Sequence, residues 1–454
     1  MKLSEIAAAV GAKAAREATV RAVVTDSRKA GTGTVFVAIR GETLDGNDFA
    51  ADALANGAEA IVVDRPIPGA DPSRCFLVPD GKRALIRIGG AYRSHFSIPF
   101  VGITGSVGKT TTKEFTHAVL SARYNTLKNE GNQNNEIGVP NTLFCLSPQH
   151  QAAVIEMGMS GFGEIRDLTL AVRPSVGIIT SIGVSHIEAL GSRENIRKAK
   201  LELLEGMPDG APLFLCGDND LLAPLRSERL NICHYGIENT ACSIRAREIQ
   251  QQGEESTSFV IESPQGHFPA LIPTIGQHNI LDALAAFGAG CALGIDPADA
   301  AAALSHYRPT GMRQKQVPWH GVTIVEDCYN CSPDSLRAAA LTLAAYPCKG
   351  RKILVVSDML ELGDDAPAMH RECGRFIARQ EIDLLLACGP LSAYTVEGAD
   401  RMGMERCCHY PNPDTLADAV LHAIRPGDVV WFKASRGMKL EEVIHTLYRK
   451  GESR

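Results

Sequence analysis

The sequence predicts an α/β fold in three domains, and three observations lead there. At 454 residues the chain is too long for one ordinary core. Strand-length apolar runs alternate with stretches of helical periodicity along it. One such run, Pro99–Thr104, passes through a glycine-rich turn into a helix, the context of a phosphate-binding loop. The expected arrangement is a small N-terminal α/β domain over roughly 1–95, a central P-loop ATPase-type parallel sheet over roughly 96–310, and a C-terminal Rossmann-like domain over roughly 311–454.

In the first segment Val35–Ile39 reads as a strand between glycines, Phe49–Gly57 as a helix and Ala60–Val63 as a second strand. Pro66, Pro68 and Pro72 mark a loop. In the second, Phe115, Ala118, Val119 and Ala122 recur at helical spacing after the glycine-rich turn. Ala152–Ile155 and Val176–Thr180 read as buried strands of a mostly parallel sheet covered on both faces. The third segment repeats the alternation with strands at Val322–Val325, Ile353–Val356, Ile382–Ala387 and Val429–Phe432. A closing helix carries Leu440, Val443, Ile444 and Leu447 on one stripe. No G-x-G-x-x-G occurs, which argues against a dinucleotide cofactor.

Composition narrows the function classes. Forty-six basic against fifty-two acidic residues leave a net charge of -6, without the clustered basic face that a nucleic-acid partner requires. No apolar run approaches the length that spans a bilayer, so no membrane insertion is expected. The N-terminus carries no targeting pattern, and thirteen cysteines without a secretory signal fit a reducing compartment, so the expected location is cytoplasmic. Cys328 and Cys331 form a lone C-x-x-C at a strand-to-helix turn, read as two small packing residues ahead of a redox dithiol.

The chemistry-bearing residues begin with Gly102-Ile-Thr-Gly-Ser-Val-Gly-Lys-Thr-Thr111. Gly105 and Gly108 let the backbone N–H groups of Ser106, Val107 and their neighbours turn toward an anion. Lys109 supplies a point charge for the β/γ-phosphates, and the Thr110 hydroxyl can hold Mg2+. Glu156 and Asp327 follow apolar strands and suit either a metal ion or a helix cap. Lys200 falls on the apolar stripe Ile196, Ala199, Leu203 and Leu204, a costly place for a cation unless it is paired, neutralised or snorkelling. His186 reads equally as a metal ligand or a polar loop residue. Asn134 and Asn135 sit in an amide-rich loop suited to a polar substrate or to a solvated turn. Asn279 precedes an alanine-rich helix, where a plain N-cap is the simple reading.

Taken in order, these segments resemble the Mur ligase family. The likeness runs through Thr25-Asp-Ser-Arg28, Asp45-Gly46, the loop 104–114, Gly131–Pro140, Glu156-Met-Gly158, His186-Ile-Glu188 with Lys200, Gly276-Gln-His-Asn279, Asp327-Cys-Tyr-Asn330, Asp358–Gly363 and Lys433-Ala-Ser-Arg436. Asn134-Asn135, Tyr329-Asn330 and Asp358–Gly363 favour the branch that joins D-alanyl-D-alanine to UDP-N-acetylmuramoyl-tripeptide in peptidoglycan precursor synthesis.

The resemblance implies roles that the residues alone do not. Ser27 and Arg28 would lie near the uridine diphosphate, with Asn134 and Asn135 on the substrate side. ATP would be held by Gly105–Thr111, Asn279 (adenine), Asp327 (ribose) and Arg313 (γ-phosphate). Two Mg2+ sites would draw on Thr110, Glu156, His186 and Lys200, the lysine carbamylated by CO2, and Lys109, Lys200 and His186 would be catalytic. A monomer is expected.

The chain departs from the family pattern at Asn47, Ser181, Ser357 and Ala434, and at Cys328 and Cys331. The close rivals are the diamino-acid-adding siblings and a folylpolyglutamate-type ligase, and the absence of the Asp-Asn-Pro-Arg motif counts against the former. An intact Lys109, Thr110, Glu156, His186 and Lys200 argue against a nucleotide-binding regulator with a decayed site.

Overall fold

A computed structural model describes residues 1–451, so the last three residues of the third expected domain lie outside it. The described chain divides into two compact units. The first comprises 1–104, 124–177 and 201–211, and the second 105–123, 178–200 and 212–454.

The first unit opens on four parallel strands, Ala22–Val24, Thr34–Val37, Ala60–Val63 and Cys75–Leu77, neighbours in chain order. Period-two alternation divides their side chains between two cores. Val35, Val37, Ala60 and Val62 pack with Leu3, Ile6, Leu85 and Ile88 on one face, and Phe36, Ile61 and Val63 with Ala50 and Ala53 on the other. The helix expected over Phe49–Gly57 is Ala50–Ala55, entered through a 3-10 turn at Gly46–Phe49. The long helix Gly81–Arg93 starts where the Asp80 carboxylate accepts from the N–H groups of Lys82 and Arg83. Strands Phe100–Thr104, Ala152–Glu156 and Thr126–Lys128 also pair in parallel here.

In the second unit the helices Lys109–Ser121 and Gln277–Ala292 pack together, with Pro212–Cys216 and Asn231–Gly236 as parallel strands. Strand pairing is mostly parallel, as expected, with an antiparallel part that the sequence does not predict. Ile244–Gln252, Ser256–Ser263 and Gly266–Ile272 form an antiparallel run. Its glutamine- and serine-rich strands lack the apolar signal of a buried strand, because much of their surface is open.

The Rossmann-like expectation for the third segment is met by a six-stranded sheet in the order Lys315–Trp319, Val322–Glu326, Val429–Lys433, Lys352–Ser357, Leu384–Cys388, Cys407–Tyr410. All pairs are parallel except the first. Leu354, Val356, Leu385 and Trp431 face helices Pro333–Ala344, Ala366–Ile377 and Ser392–Asp400. Ile353, Val355, Val430 and Phe432 face Pro413–Ala423 and Glu441–Gly451.

Helices Ala366–Ile377 and Ser392–Asp400 cross at glycines. A Cβ at Gly374 would collide with the Thr395 carbonyl, and one at Gly398 with the Arg371 carbonyl. Backbone cannot yield as a side chain can. Gly374→Ala is therefore predicted to destabilise the fold by about 1–3 kcal/mol, read as a lower urea midpoint. An unchanged midpoint would show that the crossing is looser than described.

Candidate nucleotide and metal site

The phosphate-loop turn depends on two glycines. Gly105 has φ +152°, and Gly108, the N-cap of helix Lys109–Ser121, has φ +88°. A Cβ on Gly105 would strike the Thr180 hydroxyl, and one on Gly108 would strike the Asp282 carboxyl. The loop is stapled to the turn that follows strand Val176–Ile179. Ser106 N–H donates to the Ser181 carbonyl at 2.9 Å, Val107 N–H to Ser181 Oγ at 3.0 Å, and Gly183 N–H to Ser106 Oγ at 2.9 Å. The N–H groups of Ser106 and Val107 thus face Ser181, contrary to the expectation that they turn toward an anion. That work is left to the N-terminus of the helix, whose dipole favours negative charge. Lys109 Nζ donates to the carbonyls of Gly105 at 2.8 Å and Ser106 at 3.3 Å, which holds its charge over the turn.

Beside this turn lies a cavity of about 280 Å3, lined by Val107, Gly108, Thr111, Asn279, Asp282 and Arg313 and closed by Asp327 and Lys433. Asn279 is not the N-cap that its position suggests. Gly276 caps the helix, and Asn279 sits buried in the first turn. Its amide donates to the Ile275 carbonyl at 2.6 Å and to Gln314 Oε1 at 2.8 Å. Gln314 in turn donates to His278 Nε2 at 2.7 Å. Arg313, next in sequence, lays its guanidinium 4.4 Å from the Tyr329 ring centroid. Asp327 is buried and paired with Lys433 Nζ at 2.9 Å, and accepts from Trp431 Nε1 at 3.2 Å, so its helix-cap reading falls away.

Lys200 is 1 % exposed near the end of helix Arg193–Leu201. Burial, with Lys109 as a second cation acting on it, pushes its ammonium well below the usual lysine range. Among the described residues no carboxylate pairs with it, and at this burial it does not snorkel. His186 has φ +64°, and its Nδ1 lies 2.6 Å from the Glu361 carboxylate. Glu361 has φ +63°, and hydrogen bonding to His186 keeps its pKa below the usual value. Two non-glycine residues held at positive φ and joined at 2.6 Å mark a strained, built contact. No group of three or more His, Cys, Asp or Glu side chains stands ready for a metal among the described residues.

Of the remaining expected residues, Thr110 is buried on helix Lys109–Ser121, while Glu156, Asn134, Asn135, Ser27 and Arg28 belong to the first unit. Glu156 is the last residue of its strand and is 1 % exposed. It accepts from Asn134 Nδ2 at 2.8 Å, and its backbone is bracketed by the Asn129 amide at 2.9 Å on each side. Asn135 Oδ1 accepts from Ile137 and Gly138 N–H groups and holds the start of helix Gly138–Leu143. Ser27 and Arg28 open a 3-10 turn, where Arg28 is exposed and paired with Asp26 at 2.8 Å. Burial pushes the Cys328 and Cys331 thiols up to about 12, which supports packing over redox chemistry. Thr180, Asp282, Gln314 and Asp334, whose Oδ2 accepts from Val184 N–H at 3.2 Å, were not anticipated. Each matters through a partner far away in sequence, a relation that spacing cannot carry.

Burial lowers the His278 pKa from 6.5 to about 4, and its Nε2 must stay unprotonated to accept from Gln314. Between these values the unfolded chain binds a proton that the folded chain does not, so stability falls as pH drops from 6.5 toward 4. His278→Gln is predicted to remove on the order of 1 kcal/mol of that acid-side loss, measured as the change in unfolding free energy between the two pH limits. Parallel pH profiles for both proteins would refute it.

Comparison with known proteins agrees with this geometry. Residues 103–290 match the Mur ligase middle domain, 312–436 the Mur ligase glutamate ligase domain, and 19–72 the Mur ligase family catalytic domain. The chain is 39% identical over 434 residues to the UDP-N-acetylmuramoyl-tripeptide--D-alanyl-D-alanine ligase of Bacillus subtilis, covering 95% of this chain and 94% of that protein. The Escherichia coli protein of the same name is 32% identical, with 95% of each chain covered. Among solved structures, MurF from Acinetobacter baumannii aligns with a TM-score of 0.89 at 29% identity, covering 98% of both chains. MurF from Thermotoga maritima in complex with ADP aligns at 0.86 and 28% identity, covering 96% of this chain and 99% of that one. No helix of the described residues is long and apolar enough to cross a membrane. On the phosphate loop, the three matched domains and relatives spanning nearly its whole length, the chain belongs to the Mur ligase family.

Proposed function

We propose that this chain is an ATP-dependent amide ligase that adds D-alanyl-D-alanine to UDP-N-acetylmuramoyl-tripeptide, a cytoplasmic step of peptidoglycan precursor synthesis, and that it works as a monomer. The observation that carries the reading is the cavity beside Gly108 and Lys109, with Asn279, Arg313 and the Asp327–Lys433 pair in its wall. The Bacillus and Escherichia relatives bear the name of this reaction, and the Thermotoga neighbour holds ADP.

In this reading residues 1–95 receive the UDP-sugar end through Ser27 and Arg28, 96–310 hold ATP, and 311–454 serve the amine side. Lys109 and the helix N-terminus take the β- and γ-phosphates between Gly105 and Thr111, and Arg313 takes the γ-phosphate edge. Asn279 orients the adenine, and Asp327, steadied by Lys433, accepts from ribose hydroxyls. The tripeptide carboxylate forms a bond to the γ-phosphorus while the bond to ADP breaks, giving an acyl phosphate. The amine of D-alanyl-D-alanine then bonds to the acyl carbon, loses a proton, and phosphate leaves with the C–O electron pair.

The family resemblance assigns two Mg2+ ions to Thr110, Glu156, His186 and Lys200, and the chemistry of each side chain suits a cation. Glu156 is a buried carboxylate oriented by Asn134. His186 has Nδ1 engaged by Glu361, the outer partner typical of a metal-binding imidazole, so that Nε2 would be the nitrogen to hold a cation. Lys200, its pKa lowered by burial, would as an amine have the lone pair to add to CO2 and release a proton, becoming a carbamate able to ligate metal, and Thr110 would offer its hydroxyl to Mg2+. When bound, the ions would offset the charge crowded between carboxylate and triphosphate.

Lys200→Ala is predicted to lower turnover by on the order of a hundredfold or more while ATP binding survives, with partial rescue by added short carboxylates. Full turnover in that variant would remove the metal-ligand role. The substrate assignment is tested by phosphate release with UDP-N-acetylmuramoyl-tripeptide, ATP and Mg2+ over a panel of dipeptides and single amino acids. D-alanyl-D-alanine should dominate, and a preference for a single amino acid would reassign the acceptor.

A further inference from the structure

One carboxyl in the wall of the nucleotide cavity has no part in the reaction above. Asp282 lies on helix Gln277–Ala292, is 5 % exposed, and stands against Gly108 where a side chain would otherwise be. Its Oδ1 accepts from the Thr112 hydroxyl at 2.9 Å, one turn into the phosphate-loop helix. Its Oδ2 is buried and has no hydrogen-bond partner among the described residues.

The groups that face Asp282 do little to offset a negative charge there. Arg313 is the cation that acts on it, while burial dominates and raises its pKa well above the usual carboxylate value. Tyr307, Tyr235 and Cys216 face it as neutral groups, each with its ionisation pushed up by burial. Asp218, also in the cavity wall, is a second acid. On the opposing helix Lys113 and Glu114 pair with each other at 3.3 Å, and His278, one turn earlier on its own helix, is uncharged near neutrality. An ionised Asp282 would leave a desolvated, unmet half-charge on Oδ2 and set an anion behind the seat of a triphosphate. A protonated one still accepts from Thr112 and brings no charge.

We propose that Asp282 is a positioning residue for the nucleotide, a neutral carboxylic acid that seats the phosphate loop through Gly108 and Thr112 and serves only while it carries its proton. The proposal rests on the nucleotide reading of the cavity. Its test compares wild type, Asp282→Asn and Asp282→Ala by ATP titration, by KM for ATP against kcat, and by isotope-edited infrared spectroscopy of aspartate carboxyls. Asp282→Ala should weaken ATP binding about tenfold with kcat at saturating ATP little changed. The uncharged isostere Asp282→Asn should recover most of that affinity, and wild type should show a protonated-carboxyl band that Asp282→Asn lacks. Unaltered ATP affinity in the alanine variant, absence of the band, or an asparagine variant that binds ATP about tenfold tighter than wild type would overturn it, the last being the signature of a removed negative charge. Should the alanine variant fail to fold, the asparagine variant and the band still decide. Failure of the nucleotide reading itself would look different, as wild type that binds no ATP while the band persists.

Discussion

The phosphate loop keeps its shape because two side chains from elsewhere occupy the space that its glycines leave open. Thr180 stands against Gly105 and Asp282 against Gly108, and Ser181 takes the N–H groups of Ser106 and Val107. With those donors engaged, the turn can present only the helix N-terminus and the Lys109 ammonium to an anion. The geometry is held by the chain's own side chains and backbone, and a seat fixed in this way needs little reorganisation to stabilise charge. The cavity beyond the turn inherits its position from this seat, since Gly108 and Thr111 form one of its walls.

Charge is managed around that seat by burial as much as by pairing. Lys109 is held by its own loop carbonyls, Lys433 is matched to Asp327, and Lys200 is left inside with no carboxylate partner among the described residues. A lysine in that state is costly as a cation, and its pKa is pushed down accordingly. His186 and Glu361 extend the pattern, since both adopt a backbone conformation that non-glycine residues avoid in order to meet at 2.6 Å.

Much of this was legible in the amino-acid sequence where the signal is local. The strand–turn–helix around Lys109 and the alternation of the third segment follow from spacing and glycine placement. The inward aspect of Lys200 follows from the stripe of Ile196 and Ala199. Local reasoning failed where partners are distant or polar. Asn279 looks like a cap, but Gly276 with φ +99° begins the helix and frees the amide to hold Gln314. The strands between Ile244 and Ile272 were missed because exposed polar residues mask their alternation. Asp282 carries no local mark at all, and its significance appears only when helix Gln277–Ala292 is packed against Gly108.

All of these features converge on a γ-phosphoryl group passing to a carboxylate oxygen. The most direct measurement follows that oxygen. With 18O in the terminal carboxylate of UDP-N-acetylmuramoyl-tripeptide, turnover with ATP and D-alanyl-D-alanine should place one labelled atom in each inorganic phosphate released. Amide product formed with phosphate that carries no label would mean that no acyl phosphate was made, and the role assigned to the Lys109 loop would have to be abandoned.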